Sequence, residues 1–218
     1  MSSLPDRLLT GVMVTCALVM TGLAVRNNLR RPEAPPAPPE VRDWRRYTTT
    51  GQVMGNDAAK LRVVEFADFQ CPYCARLRSR LERLRRDSDD RVAVVFRHFP
   101  LENHPHAQPA AVASECAARD GRFEAFHDLL FENQDSIGKK SWARFAMEAG
   151  VADTVAFNRC RQSPEAERRV SEDARAAAEL RLSGTPTLLI TGHMVVGMPK
   201  EGELEQLVRN ALRANLSQ

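Results

Sequence analysis

VVEFADFQCPYCARL, residues Val63 to Leu77, runs an apolar strand straight into a Cys-Pro-Tyr-Cys turn and then into a helical pattern. Cys71 followed by Pro72 reads as a helix N-cap and first helical residue, a place where the missing N–H of proline does no harm. Cys71 is therefore expected at a helix N-terminus. The unpaired backbone N–H groups and the positive end of the helix dipole there favour the thiolate over the thiol. Cys74 lies three residues on, on the same helix face, so the two sulfurs can close into a disulfide within one turn. Taken alone, these four residues fit half of a zinc site as well as a redox pair.

EFADFQCPYC, together with the later FRHFPLENHPHA and SGTPTLLITG, resembles the thioredoxin superfamily and more closely its DsbA-like branch, over roughly residues 44–212. The resemblance implies an α/β thioredoxin fold with a helical insertion at about 105–182. It implies that Cys71 is the attacking or attacked sulfur and that Cys74 resolves the mixed disulfide. Glu65, six residues ahead of Cys71, takes the place of the family's buried acid, which exchanges a proton with Cys74. Apart from the family, a carboxyl in an apolar strand is expected either to be buried with a raised pKa or to face water from an edge. Thr185-Pro186 matches the family's cis-proline and the residue before it, which with Pro72 and Tyr73 would contact the substrate chain. Cys116 and Cys160 occupy positions where this branch often carries a second, structural disulfide; the residues alone leave two separate buried thiols open.

What the resemblance implies is a thiol:disulfide oxidoreductase with no cofactor beyond its own Cys71–Cys74 pair, acting on cysteine-containing client proteins. Dithiol oxidase is the favoured direction, and an oxidase would need a membrane quinone-linked partner to reoxidise it. Two departures bear on direction: Pro-Tyr stands where the oxidases carry Pro-His, and Thr185 before the proline also occurs in isomerase-like relatives. Reductase or isomerase is the second reading. A redox-inactive module that holds peptides in the same groove is the third, and retention of both cysteines speaks against it.

The chain has 218 residues, 43% hydrophobic, enough for one domain and a tail. The net charge of +3 is spread among both signs with no basic stripe interleaved with aromatics, which gives nucleic-acid binding little support. After a short tail at 1–7, Leu8 to Val25 is 18 positions without a charge, about the minimum for a membrane span, and is expected to be an uncleaved anchor. A cleaved signal peptide is the alternative. Arg26, Arg30, Arg31, Arg42 and Arg45 follow the span while only Arg7 precedes it, so the positive-inside rule opposes the extracytoplasmic placement that the family suggests. Residues 26–43, with RPEAPPAPPE at their centre, read as an extended linker, and 44–218 as the domain.

Within the domain, 44–55 is expected to give a short strand and turn, 61–69 and 92–96 two strands around a helix that buries Leu77, Leu81 and Leu84. The arginines at 76, 78, 80, 83, 85 and 86 are read as mostly solvated. Helices are expected at 107–119, 122–133, 141–149, 153–162 and 164–182. Strands at 187–191 and 194–197 flank a Gly192-His193 turn, and a helix at 203–212 buries Leu204, Leu207, Val208 and Ala211. His104 and His106 have a spacing that could hold a metal but no third ligand nearby, and a loop role is favoured. His98 and His127 are read as structural.

Overall fold

The computed structural model describes residues 12–22 and 40–215. Residues 12–22 form helix α1, in a unit separate from residues 38–218. Val12, Met13, Val14, Leu18, Val19 and Met20 are exposed on it. No helix among the described residues is long and apolar enough to cross a membrane. The ends of the expected span 8–25 and most of the expected linker 26–43 lie outside the described residues. The end of that linker is not free chain: Glu40 bridges to His193, and the Val41 N–H donates to the Gly192 carbonyl at 2.7 Å.

The expected leading strand begins instead with a 3-10 turn, Trp44–Thr48, and only Gln52–Met54 is strand β1. Next come β2 (Leu61–Ala67), α2 (Pro72–Asp87) and β3 (Val92–His98). β2 and β3 pair in parallel around α2, which makes this a βαβ unit, and β1 pairs antiparallel with β3. The helical segment follows as α3 (Ala107–Ala118), α4 (Phe123–Glu132), α5 (Trp142–Glu148), α6 (Thr154–Arg161) and α7 (Pro164–Glu179). The chain closes with β4 (Thr187–Ile190), β5 (His193–Val196) and α8 (Glu203–Asn215). The sheet order is β1-β3-β2-β4-β5, with β4 antiparallel to both of its neighbours.

The β4–β5 turn differs from the sequence expectation by one residue. Thr191 and Gly192 carry the positive φ values, +46° and +94°, and His193 already pairs with Ile190. A two-residue turn of this hand needs φ > 0 at both central positions, and the chain meets that with Thr-Gly. His193 is thus a strand residue.

Alternation along β2 divides the core. Val63 and Ala67 face one layer with Leu77 and Leu81 of α2 and Leu204 and Val208 of α8, whereas Val64 and Phe66 face the other with Ala176 and Ala177 of α7. Glu65 shares the face of Val63 and Ala67, under α2. On α8, Leu204, Val208 and Ala211 are buried as expected, while Leu207 is only half-buried and Leu212 joins the core.

Buried polar links hold the helical segment to the sheet. Arg97 Nε lies 2.5 Å from Asp173 of α7, whose other oxygen accepts the His98 N–H at 2.9 Å. His98 Nε2 meets Glu115 of α3 at 2.9 Å, and the Gln52 amide donates to the same carboxylate. The α2 arginines also depart from expectation. Arg78 pairs with Asp128 and Glu132, Arg85 with Glu124, and Arg80 donates to the carbonyls of Pro199 and Lys200. Arg78 and Arg85 therefore hold α2 to α4, and Arg80 holds it to the segment before α8, while among the α2 arginines only Arg76, Arg83 and Arg86 are exposed.

Candidate active site

Between the end of β2 and the start of α2, three residues make a rigid corner. Asp68 is buried; its Oδ1 accepts the Gln70 N–H at 2.7 Å, and its Oδ2 accepts the Leu101 N–H at 2.8 Å and lies 2.7 Å from His104 Nδ1. The Asp68 carbonyl accepts the Cys71 N–H at 3.0 Å. From the helical segment, the Gln134 amide donates to the carbonyls of Phe69 at 2.7 Å and Cys71 at 3.0 Å. Gln70 Oε1 accepts the His106 N–H at 2.6 Å. His104 thus belongs to a carboxylate clamp, and among the described residues no group of three or more His, Cys, Asp or Glu side chains is arranged to hold a metal.

Cys71 is the N-cap of α2 with Pro72 at the first helical position. Its sulfur faces Thr185, whose bond to Pro186 is cis; the thiol donates to the Thr185 carbonyl at 3.4 Å. Both Cys71 and Cys74 are free thiols and both are buried, while Pro72 and Tyr73 between them are exposed. The Arg76 guanidinium lies 4.6 Å from the Tyr73 ring centroid, so Arg76 packs on the rim of the site rather than on the sulfur. The structure thereby sets the Cys71 sulfur against Thr185 and Pro186, with Pro72 and Tyr73 exposed at the rim, Cys74 buried behind Cys71, and Glu65 close to both sulfurs.

The electrostatics separate the two sulfurs. The Cys74 thiol donates to Cys71, and this bond, opposed by burial and aided by the Thr185 side chain and the N–H groups of Cys74 and Tyr73, lowers the Cys71 pKa to about 5. Burial pushes Cys74 far above the usual thiol range, and the charges of Cys71 and Glu65 add to the effect. Glu65 itself is raised to about 8 by burial first and by the Cys71 charge second, and its Oε1 has no hydrogen-bond partner. This arrangement favours a thiolate at Cys71 and a protonated thiol at Cys74, with the Glu65 carboxyl near enough to Cys74 to feel its charge.

Cys116 of α3 and Cys160 of α6 are joined by a disulfide, which closes 44 residues of the helical segment. Sequence reasoning missed Asp68, Gln70 and Gln134. Asp68 just ahead of a helix N-cap carried a local signal, since Asx residues organise such corners. Gln134, 63 residues from Cys71, carried none.

Against known proteins, the family model described as Thioredoxin matches residues 47–210. The solved structure of a thioredoxin-like oxidoreductase from Silicibacter pomeroyi is 30% identical, with a TM-score of 0.64 over 74% of this chain and 92% of that one. DsbA2 of Pseudomonas aeruginosa is 26% identical, with a TM-score of 0.60 over 72% and 91%. A curated relative, Na(+)/H(+) antiporter NhaA 1 of Mycolicibacterium gilvum, is 40% identical over 143 residues, 64% of this chain but 23% of that protein. The chain thus spans less than a quarter of the length of that curated relative. With the matched segment covering the sheet, the helical segment and the Cys71 corner, the chain belongs to the thioredoxin superfamily, in its DsbA-like branch.

Proposed function

We propose that the chain is an extracytoplasmic thiol:disulfide oxidoreductase that oxidises cysteine-containing client proteins. The observation that carries this reading is the Cys71 sulfur at the tip of α2, beside Thr185 and its cis bond to Pro186, with its pKa lowered to about 5. A client thiolate attacks the Cys71 sulfur of the oxidised pair, the Cys71–Cys74 bond breaks, and Cys74 leaves as a thiolate that takes a proton from Glu65. A second client thiolate then attacks the client sulfur of the mixed disulfide, the client disulfide forms, and Cys71 leaves as a stable thiolate. A low pKa on the departing sulfur speeds that step and stabilises the reduced enzyme, which makes the pair oxidising. The backbone beside Pro186, with Pro72 and Tyr73 on the rim, is where an extended client chain would lie.

The Cys116–Cys160 disulfide supports a compartment outside the cytoplasm, because such bonds persist in oxidising surroundings. In the same reading the uncharged stretch Leu8 to Val25 anchors the domain, and a quinone-linked membrane partner takes the electrons from the reduced pair. No antiport is proposed, since the match to the antiporter covers 23% of that protein. The test is reoxidation of reduced RNase and reduction of insulin, each with the wild type and Cys71→Ala. Oxidase activity lost in the variant is the expected result; wild-type activity in Cys71→Ala would end the proposal.

A further inference from the structure

Glu65 is sealed in the core, yet each turnover requires it to gain or lose a proton. It borders a cavity of about 20 Å³ between β2, α2 and α4, lined on its polar side by Glu65, Arg78, Glu82, Arg85, His127 and Asp128. That volume has room for about one water. Three of its lining atoms, Glu65 Oε1, His127 Nε2 and Arg85 Nε, are buried with no hydrogen-bond partner among the described residues. Buried polar atoms are nearly always partnered, so three orphans around one cavity of this size point to a ligand that can both donate and accept, and water is the smallest.

His127 is otherwise out of place. Its ring is caged by Phe131 at 4.9 Å, Phe96 at 5.0 Å and Phe69 and Phe123 at 5.9 Å between centroids, a site that a phenyl ring would fill as well. Its Nδ1 lies 2.9 Å from Asp128 Oδ1. A neutral imidazole that donates from Nδ1 to a carboxylate presents a lone pair at Nε2, toward the cavity. Asp128 is 37% exposed and is held by Arg78 at 3.0 Å.

We propose that one buried water and His127 carry the proton between Glu65 and solvent, with Asp128 as the outer station. When Cys74 is deprotonated, Glu65 accepts its proton and passes one to the water; the water passes one to Nε2, and the Nδ1 proton leaves to Asp128 and then to bulk water. One proton enters and one leaves, and no heavy-atom bond changes. When Cys74 departs as a thiolate, the proton runs the other way, so the two halves of the redox cycle restore the starting tautomer of a ring that its aromatic cage keeps from turning over. The charged groups facing His127 are Asp128 and Glu124 from α4, Arg78, Glu82 and Arg85 from α2, and Glu65 from β2.

This rests on the oxidoreductase reading above, and the test separates the two. A mixed disulfide between Cys71 and glutathione is formed, and its resolution by Cys74 is timed from pH 5 to 9 for wild type, His127→Phe, Asp128→Asn, Glu65→Gln and the double variant Glu65→Gln/His127→Phe. The pH midpoint of Cys71 alkylation is measured in each. His127→Phe is expected to slow resolution about tenfold or more, by losing part of the 10²–10⁴ typical of positioned proton transfer, and to leave the Cys71 midpoint in place. It should add nothing in the Glu65→Gln background, because a relay to a missing acid is already silent. A purely structural role predicts additive slowing and a moved midpoint, and either overturns the proposal. Should His127→Phe fail to fold, Asp128→Asn decides: it keeps an acceptor for Nδ1 but cannot take the proton, and a wild-type rate there overturns the relay. Failure of the wild type itself to resolve the mixed disulfide would count against the oxidoreductase reading instead.

Discussion

Cys74→Ala removes the largest single influence on Cys71 while leaving the helix tip in place. In the reduced protein the Cys74 thiol donates to the Cys71 sulfur, and this is the foremost reason that Cys71 titrates at about 5 rather than 9.0. A hydrogen bond to a charged group contributes about 1.5–3 kcal/mol. At about 1.36 kcal/mol per pH unit, its loss should move the Cys71 midpoint from about 5 to about 6–7. It should not return to 9.0, because Thr185 and the N–H groups of Tyr73 and Cys74 remain. The measurement is the rate of iodoacetamide alkylation against pH, checked by thiolate absorbance near 240 nm. A midpoint still near 5 in Cys74→Ala would show that the thiol–thiolate bond is not the cause. A wild-type midpoint near 9 would refute the whole electrostatic account of the site.

Glu65→Leu should stabilise the reduced protein increasingly as pH rises. Below pH 4.5 the carboxyl is protonated in both folded and unfolded chains; between 4.5 and about 8 only the unfolded chain ionises readily, so the native protein loses stability across that window. Denaturant melts at pH 5 and pH 7 should show the advantage of Leu growing to at most about 3 kcal/mol at pH 7, and a pH-independent difference would contradict the buried-acid assignment. Replacing both Cys116 and Cys160 by Ala should lower stability by about 4 kcal/mol through release of the 44-residue loop, read by urea unfolding, and leave the Cys71 alkylation midpoint unchanged. Arg97→Met strands the buried Asp173 carboxylate and should destabilise by about 3–5 kcal/mol; a thermal melt equal to wild type would show that the pair contributes nothing. Gly138 has φ +86°, and a Cβ there would collide with the His106 ring, so Gly138→Ala should shift the loop that reaches Gln70 and reduce client oxidation without altering Cys71 titration.

The site was legible where its chemistry is local. The Cys-Pro-Tyr-Cys turn encodes its own cap, and the strand alternation that buries Val63 and Ala67 also dictates the side on which Glu65 lies. Tertiary clamps were not legible. Arg78, Arg80 and Arg85 read as solvated because their partners stand 39 to 125 residues away on α4 and around α8. A glycine after a strand run reads as the first turn position, but the strand register puts Gly192 second, after Thr191, which shifts the turn by one residue. Asp68 and Gln134 escaped notice because a carboxylate or an amide acquires its role here only when a distant backbone folds against it.

The most direct test of the central claim is the reduction potential of the Cys71–Cys74 pair, measured against glutathione at pH 7. A thiolate held at the tip of α2 stabilises the reduced form, so the account predicts a value well above the thioredoxin range, toward about −120 mV. A value near about −270 mV would contradict it and assign the chain to reduction of disulfides rather than their formation.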